Sequence, residues 1–349
     1  MSSAAPPEVP AGIDAGRVQA WFAEHLPPAR PPLRFDRVVG GHSCLTFVVT
    51  DAEEHRFVLR RPPLGHVLES AHDVLREHRI IAALGPTPVP VPEALAACGD
   101  VEVNGAPFYV MSYVPGVAVH NAEDAAAALP SVEARRHAAE TLVDALVALH
   151  AVEPDEVGLG TLARQSGYLD RQLKRWHGQY EASRTRDLPA MGRLHTWLVA
   201  NKPPDVPARI AHGDFRLGNV LHAPDGEVRA VLDWELCTLG DPLSDVSYLL
   251  RFWVEPGEPL RSRTEPPTYI GGFPTKVEVA ARYAERSGRD VGALDYWMAF
   301  HAWRSAAIGQ GVYRRYIDGN MGDVPEDVED DASNVEASAE AGLLAAGLS

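Results

Sequence analysis

The sequence predicts an α+β fold in two lobes, a small antiparallel β-sheet lobe followed by a larger, mainly helical one. Three observations predict it. Short β-branched and aromatic runs separated by glycine turns fill residues 34–113. After Pro115-Gly116, alanine- and leucine-rich segments with helical spacing take over. Strand signal then returns only briefly, between residues 209 and 232. With 349 residues, 46% of them hydrophobic, the chain can bury a large core, as one large domain or two lobes.

In chain order, residues 1–12 are small, proline-rich and aperiodic and read as a flexible arm. Residues 13–26 carry apolar residues at helical spacing (Val18, Trp21, Phe22), and Pro27-Pro28 stops that helix. The run LRFDRVVGGHSCLTFVVTDAEEHRFVLRRPP reads as three antiparallel strands with glycines at the first turn. A helix follows over 70–84, with Val74, Ile80, Ile81 and Leu84 on its apolar face. In PTPVPVP the prolines fix φ and remove donors, so this stretch is an extended connector. Asn104-Gly105 predicts a hairpin turn into the apolar strand 107–113.

These elements make a sheet lobe over 13–115 and a helical lobe over 116–349. In the latter, helices are predicted over 133–150, 167–180 and 294–316. Strands are predicted over 209–211, 220–221 and 228–232, with Asp225-Gly226 as the turn between the last two. From Asp323 the tail is acidic and then alanine-rich, and either packs as a last helix or frays.

Composition excludes several classes. Forty-eight acidic residues against 32 basic ones, a formal charge of −16, argue against a nucleic-acid binder. Cys44, Cys98 and Cys237 are odd in number and lack CxxC spacing, which argues against a disulfide framework or a zinc site. No apolar run reaches the ~20 residues that span a bilayer, and the N-terminus lacks the basic and apolar regions of a leader. The expectation is a cytoplasmic protein without nucleic-acid or membrane partners. His66, His72 and His78 recur every six residues, about 240° apart around a helix, and cannot converge on one ion. Gly41-His42-Ser43-Cys44-Leu45 lacks the second glycine of a hydrolase nucleophile elbow.

The chemistry is written in HGDFRLGN, residues 212–219. Asp214 precedes Asn219 by five residues, and Asp233 follows fourteen later, beyond an intervening hairpin. Phosphoryl transfer needs a carboxylate to orient and deprotonate the attacking hydroxyl, hard oxygen ligands for Mg²⁺, and cations for developing charge. The spacing places these groups in the order used by kinases: Asp214 as base, Asn219 and Asp233 as metal ligands, and His212 ordering the loop. Arg216, two residues after the base, stands where a phosphate-contacting cation is common.

Upstream, Gly40-Gly41-His42-Ser43 would let backbone N–H groups approach ATP phosphates, although the same residues suit an ordinary turn. Arg60 ends the strand Phe57-Val58-Leu59, and Glu77, seventeen residues on, lies mid-helix as its expected partner. A solvated pair is the alternative. Residues 109–114, including Met111 and Tyr113, are placed to offer backbone hydrogen bonds to adenine, and suit a plain buried strand equally well. Asp241 and Asp245 read as structural groups that cap or brace the loop beneath the site.

With these residues assembled, the chain from about 13 to 320 resembles the aminoglycoside phosphotransferase superfamily, with its protein-kinase-like fold, most specifically in HGDFRLGN and VLDWE. GGHSCLTFVV, FVLRRPP, SAHDVLREHR, PVPVP and GAPFYVM are most similar to the kinase domains related to those fused to acyl-CoA dehydrogenases. That resemblance implies ATP and Mg²⁺ as cofactors and phosphorylation of a hydroxylated acyl substrate, free or as a CoA ester. The rival readings are an aminoglycoside or macrolide kinase and a catalytically weak nucleotide-binding scaffold. The scaffold stays open because Arg60 replaces the usual lysine, and the two cations are not interchangeable at a tight phosphate site.

The stretch 168–193 holds six basic residues against three acidic ones, and Arg171, Lys174 and Arg175 can share a helix face. A site for CoA phosphates and a solvated face are both compatible with it. Tyr296, Phe300 and Trp303 recur at helical spacing as core, and the resemblance implies that this region lines the acceptor pocket with one face toward substrate.

Overall fold

The chain is described from a computed structural model for residues 9–38, 44–65, 73–164, 166–260, 264–319 and 328–348. Helix α1 (Ala15–His25) starts where the Asp14 carboxylate accepts the Arg17 N–H, satisfying one of the donors that a helix start leaves unpaired. Strands β1 (Arg34–Arg37), β2 (Leu45–Thr50) and β3 (Arg56–Arg61) follow as a meander. Helix α2 (Val74–Leu84) is capped by Asp73. After the proline connector come β4 (Ala94–Cys98), α3 (Val101–Asn104) and β5 (Phe108–Ser112), which complete an antiparallel sheet of order β1-β2-β3-β5-β4.

The Asn104-Gly105 pair does not form the two-residue hairpin its sequence suggests. Asp100 accepts the Glu102 N–H and starts the one-turn helix α3, and Gly105 ends it in the left-handed conformation at φ 70°. A strong local cap one turn upstream converts the NG signal from a turn into a helix terminus. The strands on either side still pair antiparallel.

Period-2 alternation divides the sheet. Phe57 and Leu59 of β3 and Phe108 and Val110 of β5 join Val18 and Phe22 of α1 in one core. Val58, Arg60, Tyr109 and Met111 therefore point to the opposite face, where α2 lies. In β3 and β5 they are paired, Val58 with Met111 and Arg60 with Tyr109.

The helical part begins after the short strand β6 (Val117–Ala118) with α4 (Ala122–Ala128), α5 (Val132–Ala151), α6 (Tyr168–Ser183) and α7 (Pro189–Ala200). Strands β7 (Arg209–Ala211), β8 (Val220–His222), β9 (Val228–Val231) and β10 (Thr238–Gly240) then frame the segment richest in polar motifs, and α8 (Pro242–Arg251) follows. They form a three-stranded sheet β6-β8-β9 and a pair β10-β7. Strand β9 ends one residue before the predicted bound, because Leu232 turns its N–H to the Asn219 carbonyl at 2.8 Å.

Helices α9 (Lys276–Ser287), α10 (Leu294–Ile317) and α11 (Val328–Ala345) close the chain. Of the two alternatives for the tail, helix packing prevails: Val335 and Ala339 of α11 are buried in the main core, and α11 lies along α10 and α7. Tyr296, Phe300 and Trp303 are buried, which accounts for their spacing as core. None of the described helices is long and apolar enough to cross a membrane.

Candidate active site

The loop between β7 and β8 is built around buried hydrogen bonds. Asp245 on α8, 1% exposed, accepts the backbone N–H groups of His212 at 2.6 Å and Gly213 at 2.8 Å. Gly213 adopts φ 84°, and a Cβ there would stand 2.6 Å from the Leu236 carbonyl oxygen, so only glycine fits between His212 and Asp214. His212 is fully buried. Its Nδ1 accepts the Asp214 N–H at 3.2 Å, which leaves Nε2 protonated to donate to the Leu232 carbonyl at 2.8 Å. The imidazole thus fastens the Asp214 loop to the strand end that carries Asp233. Trp234, fully buried, packs its ring 4.7 Å from that imidazole.

Asp214 is oriented by Asn219, whose Nδ2 donates to the Asp214 carbonyl at 2.8 Å and to its Oδ2 at 2.7 Å. Since the amide nitrogen is spent on Asp214, the Asn219 Oδ1 is left as a hard oxygen donor. Arg216 Nε lies 3.5 Å from Asp214 Oδ1. The Tyr248 hydroxyl on α8 also hydrogen-bonds Asp214. Burial, and then the Asp214 charge, hold that phenol well above its ordinary range, so it stays a donor.

Asp233 immediately follows the Leu232–Asn219 bond and sits at φ 65°, ψ 62°, a left-handed conformation rarely adopted by a residue with a side chain. Its Oδ1 is 2.5 Å from Arg60 Nη2. Arg60 Nε reaches Glu77 Oε2 across 3.2 Å as an ion pair, without hydrogen-bond alignment. Tyr109, opposite Arg60 in the sheet, donates to the same Glu77 oxygen at 3.1 Å. One guanidinium therefore serves two carboxylates. Burial pushes the Glu77 carboxyl up to about 7, with Arg60 opposing and Asp233 adding to the rise. Arg60 stays charged: burial works against its charge, but Glu77 and Asp233 outweigh it and raise its pKa.

Cys44 and Glu235 complete this corner, with their donor atoms and that of Glu77 within 4.8 Å of one another. Burial pushes the Cys44 thiol up to about 11, and the Arg60 guanidinium already supplies the cation there. Arg76, one residue before Glu77, donates to the backbone carbonyls of Glu235, at 3.2 Å, and Cys237. All three cysteines are free and buried.

The structure thus brings Asp214, Arg216, His212 and Asn219 together on one loop, and joins Arg60 and Glu77 to Asp233. The Leu232 N–H, one residue before Asp233, donates to the Asn219 carbonyl, and the side-chain oxygens of both residues are of the hard type that could hold a cation such as Mg²⁺. Met111 is buried on the sheet face shared with Arg60. The Tyr113 ring lies under the Arg56 guanidinium, 3.8 Å from its centroid, so one face of the ring is already taken. Gly41, His42 and Ser43 lie outside the described residues. Arg171 donates to the carbonyls of Arg164 and Ser166.

Sequence reasoning missed Tyr248, which sits in an apolar helix that reads as core. Asp245 braces the loop directly, as its place after the metal-ligand strand predicts. Its buried partner His150, at 3.3 Å, carried no sequence signal.

Comparison with known proteins agrees with this geometry. Residues 34–297 match the profile of the "Phosphotransferase enzyme family". The chain is 39% identical over 295 residues to mouse acyl-CoA dehydrogenase family member 10, covering 82% of this chain and 27% of that protein. It is 35% identical over 342 residues to rat acyl-CoA dehydrogenase family member 11, covering 95% and 43%. The chain thus spans less than half the length of these relatives.

Among solved structures, a putative aminoglycoside phosphotransferase from Ralstonia eutropha superimposes with a TM-score of 0.82 at 31% identity, covering 96% of this chain and 98% of that one. A thermostable mutant of aminoglycoside phosphotransferase APH(4)-Ia, in complex with AMP-PNP and hygromycin B, shares the fold at TM-score 0.61 and 18% identity, covering 95% and 99%. The two-lobed, protein-kinase-like α+β architecture expected from the sequence is the one these structures share. By its family match, its relatives and its fold, the chain belongs to the phosphotransferase enzyme family.

Proposed function

We propose that this protein transfers the γ-phosphoryl group of ATP to a hydroxyl of a small hydroxylated acyl substrate, either a free acid or its CoA ester. The observation that carries the reading is the fixed Asp214 carboxylate, held by Asn219 and Tyr248 and hinged through His212 to the segment bearing Asp233. The acyl choice follows the relatives, whose names place them among acyl-CoA dehydrogenases.

In this mechanism Asp214 accepts the proton of the acceptor hydroxyl as its oxygen attacks the γ-phosphorus. The bond from that phosphorus to the β,γ-bridging oxygen breaks, and ADP leaves with the electron pair. Arg216 stands beside the base and Arg60 beside Asp233, two fixed cations for charge that develops on the phosphoryl oxygens. Asn219 and Asp233 would hold Mg²⁺, which supplies charge neutralisation between the phosphates. Met111 and the backbone at Tyr113 border the purine site, and Gly41, His42 and Ser43 are assigned to the phosphate loop. The lobes divide near residue 115, so the nucleotide enters between them.

Arg60 in place of lysine does not leave the corner empty, because the guanidinium fork reaches both Glu77 and Asp233. This favours an active enzyme over a scaffold. Coupled ADP release decides the matter: turnover with hydroxy acids or hydroxyacyl-CoA esters, absent in Asp214→Asn, supports the proposal. Turnover with aminoglycosides or macrolides instead would transfer the chain to the antibiotic kinases.

A further inference from the structure

Asp214 faces an aromatic wall formed where α8 and α10 meet. The Tyr248 ring packs edge-on to His301 at 5.4 Å and lies 5.1 Å from Phe252. Phe252, 42% exposed, sits 5.8 Å from the Arg216 guanidinium. His301 is 2% exposed and its Nε2 donates to the Ser244 carbonyl at 2.9 Å. Burial pushes it down to about 3, so it contributes no charge to this wall.

One turn further along α10 stands Arg304. Its guanidinium carbon lies 5.2 Å from the Trp176 ring on α6. Its Nε is buried without a hydrogen-bond partner, and its guanidinium makes no ion pair or hydrogen bond among the described residues. Arg61, Arg76 and Arg135 show the contrast, since each donates to named backbone carbonyls. The Arg304 charge acts on Tyr248, the phenol that hydrogen-bonds Asp214, and on Tyr168. Arg304 is half-buried, and a buried Nε–H without an acceptor is costly, a cost recovered when a ligand brings an anionic or carbonyl oxygen.

We infer that Arg304 binds the acceptor: its guanidinium donates to the acyl oxygen of the substrate, a carboxylate in a free hydroxy acid or the carbonyl of a thioester, while Trp176, Tyr248 and Phe252 flank the apolar chain. The inference rests on the phosphotransferase reading of Asp214. It deepens that reading by giving a reason for the acceptor class, because a polyamine antibiotic would bring ammonium groups toward a fixed guanidinium.

The test compares wild type, Arg304→Gln and Arg304→Lys in ADP release with medium-chain hydroxy acids and with their CoA thioesters, together with melting shifts produced by each compound in the presence of AMP-PNP. Arg304→Gln is expected to raise the acceptor KM about tenfold or more, with kcat changed far less. Arg304→Lys is expected to recover part of the loss. The AMP-PNP melting shift persists in all three proteins. A response to the free acids identifies the carboxylate as the bound group, and a response confined to the thioesters identifies the carbonyl.

An unchanged acceptor KM in Arg304→Gln, with hydroxyacyl turnover intact, overturns the inference alone. A lowered melting temperature with unchanged KM assigns Arg304 to packing against Trp176 and overturns it too. Where the wild type gains no stability from any hydroxyacyl compound and turns over only antibiotics, both the inference and the acyl reading fall.

Discussion

Arg60 Nη2 lies 2.5 Å from Asp233 Oδ1, joining a strand of the first sheet to a residue 173 positions away, while Nε of the same guanidinium faces Glu77. Two carboxylates share one cation, and Glu77 is 1% exposed. Removing the cation leaves a carboxylate buried alone. Arg60→Ala is expected to cost about 3–5 kcal/mol of stability, measured by urea unfolding. Adding Glu77→Gln to it should restore part of that loss. If Arg60→Ala unfolds at the wild-type urea concentration, the pair does not carry the weight assigned to it.

Asp214→Asn keeps the side chain's shape and its contact with the Asn219 amide, but removes the proton acceptor. A fall in kcat of about 10²–10⁴-fold is expected, with the melting shift produced by MgATP retained. Activity within a few-fold of wild type would remove Asp214 from the role of base.

Tyr248→Phe deletes one donor to Asp214 and leaves the ring against His301 and Phe252. Loss of a hydrogen bond to a charged group costs about 1.5–3 kcal/mol, so kcat/KM should fall roughly 10- to 150-fold. Steady-state kinetics on the acyl substrate checks this, and a change under twofold would show that Asn219 alone orients the base.

Asp245 gives the chain an acid-sensitive joint. Burial alone would raise its pKa, but the His150 hydrogen bond and the N–H groups of the loop hold it below the usual carboxylate range. A folded pKa below the unfolded one means the stabilisation is present above pH ~4 and is lost as pH falls through the folded value. Asp245→Asn should be less stable at pH 7 and show a flatter acid limb, read from melting temperatures between pH 7 and pH 3. Parallel curves for the two proteins would contradict the assignment.

Asn219 and Asp233 as metal ligands predict that ADP release disappears in excess EDTA and returns with added Mg²⁺. Asp233→Asn should raise the Mg²⁺ concentration needed for half-maximal rate by about tenfold or more. Full activity in EDTA would exclude these two residues from that role.

The parts of the site that the sequence made legible are those whose spacing is fixed by regular structure. Period-2 alternation carries Arg60 to the α2 face, and a hairpin of set length separates Asn219 from Asp233. What stayed hidden depends on contacts between distant elements. His150 and Asp245 meet across 95 positions, and Arg304 gains its meaning only from the acceptors it lacks. Asn104-Gly105 misled because turn and helix-end signals share the same residues, and the Asp100 cap decided between them. The left-handed backbone at Asp233 was equally invisible, since nothing in VLDWE announces a positive φ.

Arg76 donates to two carbonyls just beyond Asp233, and its neighbour Glu77 meets the Arg60 that holds Asp233 itself. Helix α2 is consequently fastened at adjacent residues to the far side of the cleft, although the chain order assigns it to the sheet. The same helix is tied to the sheet as well, because Glu77 meets Arg60 of β3 and accepts from Tyr109 of β5. In mechanical terms α2 is a rivet through two layers, with one residue fastened to the sheet and its neighbour to the turn beyond Asp233.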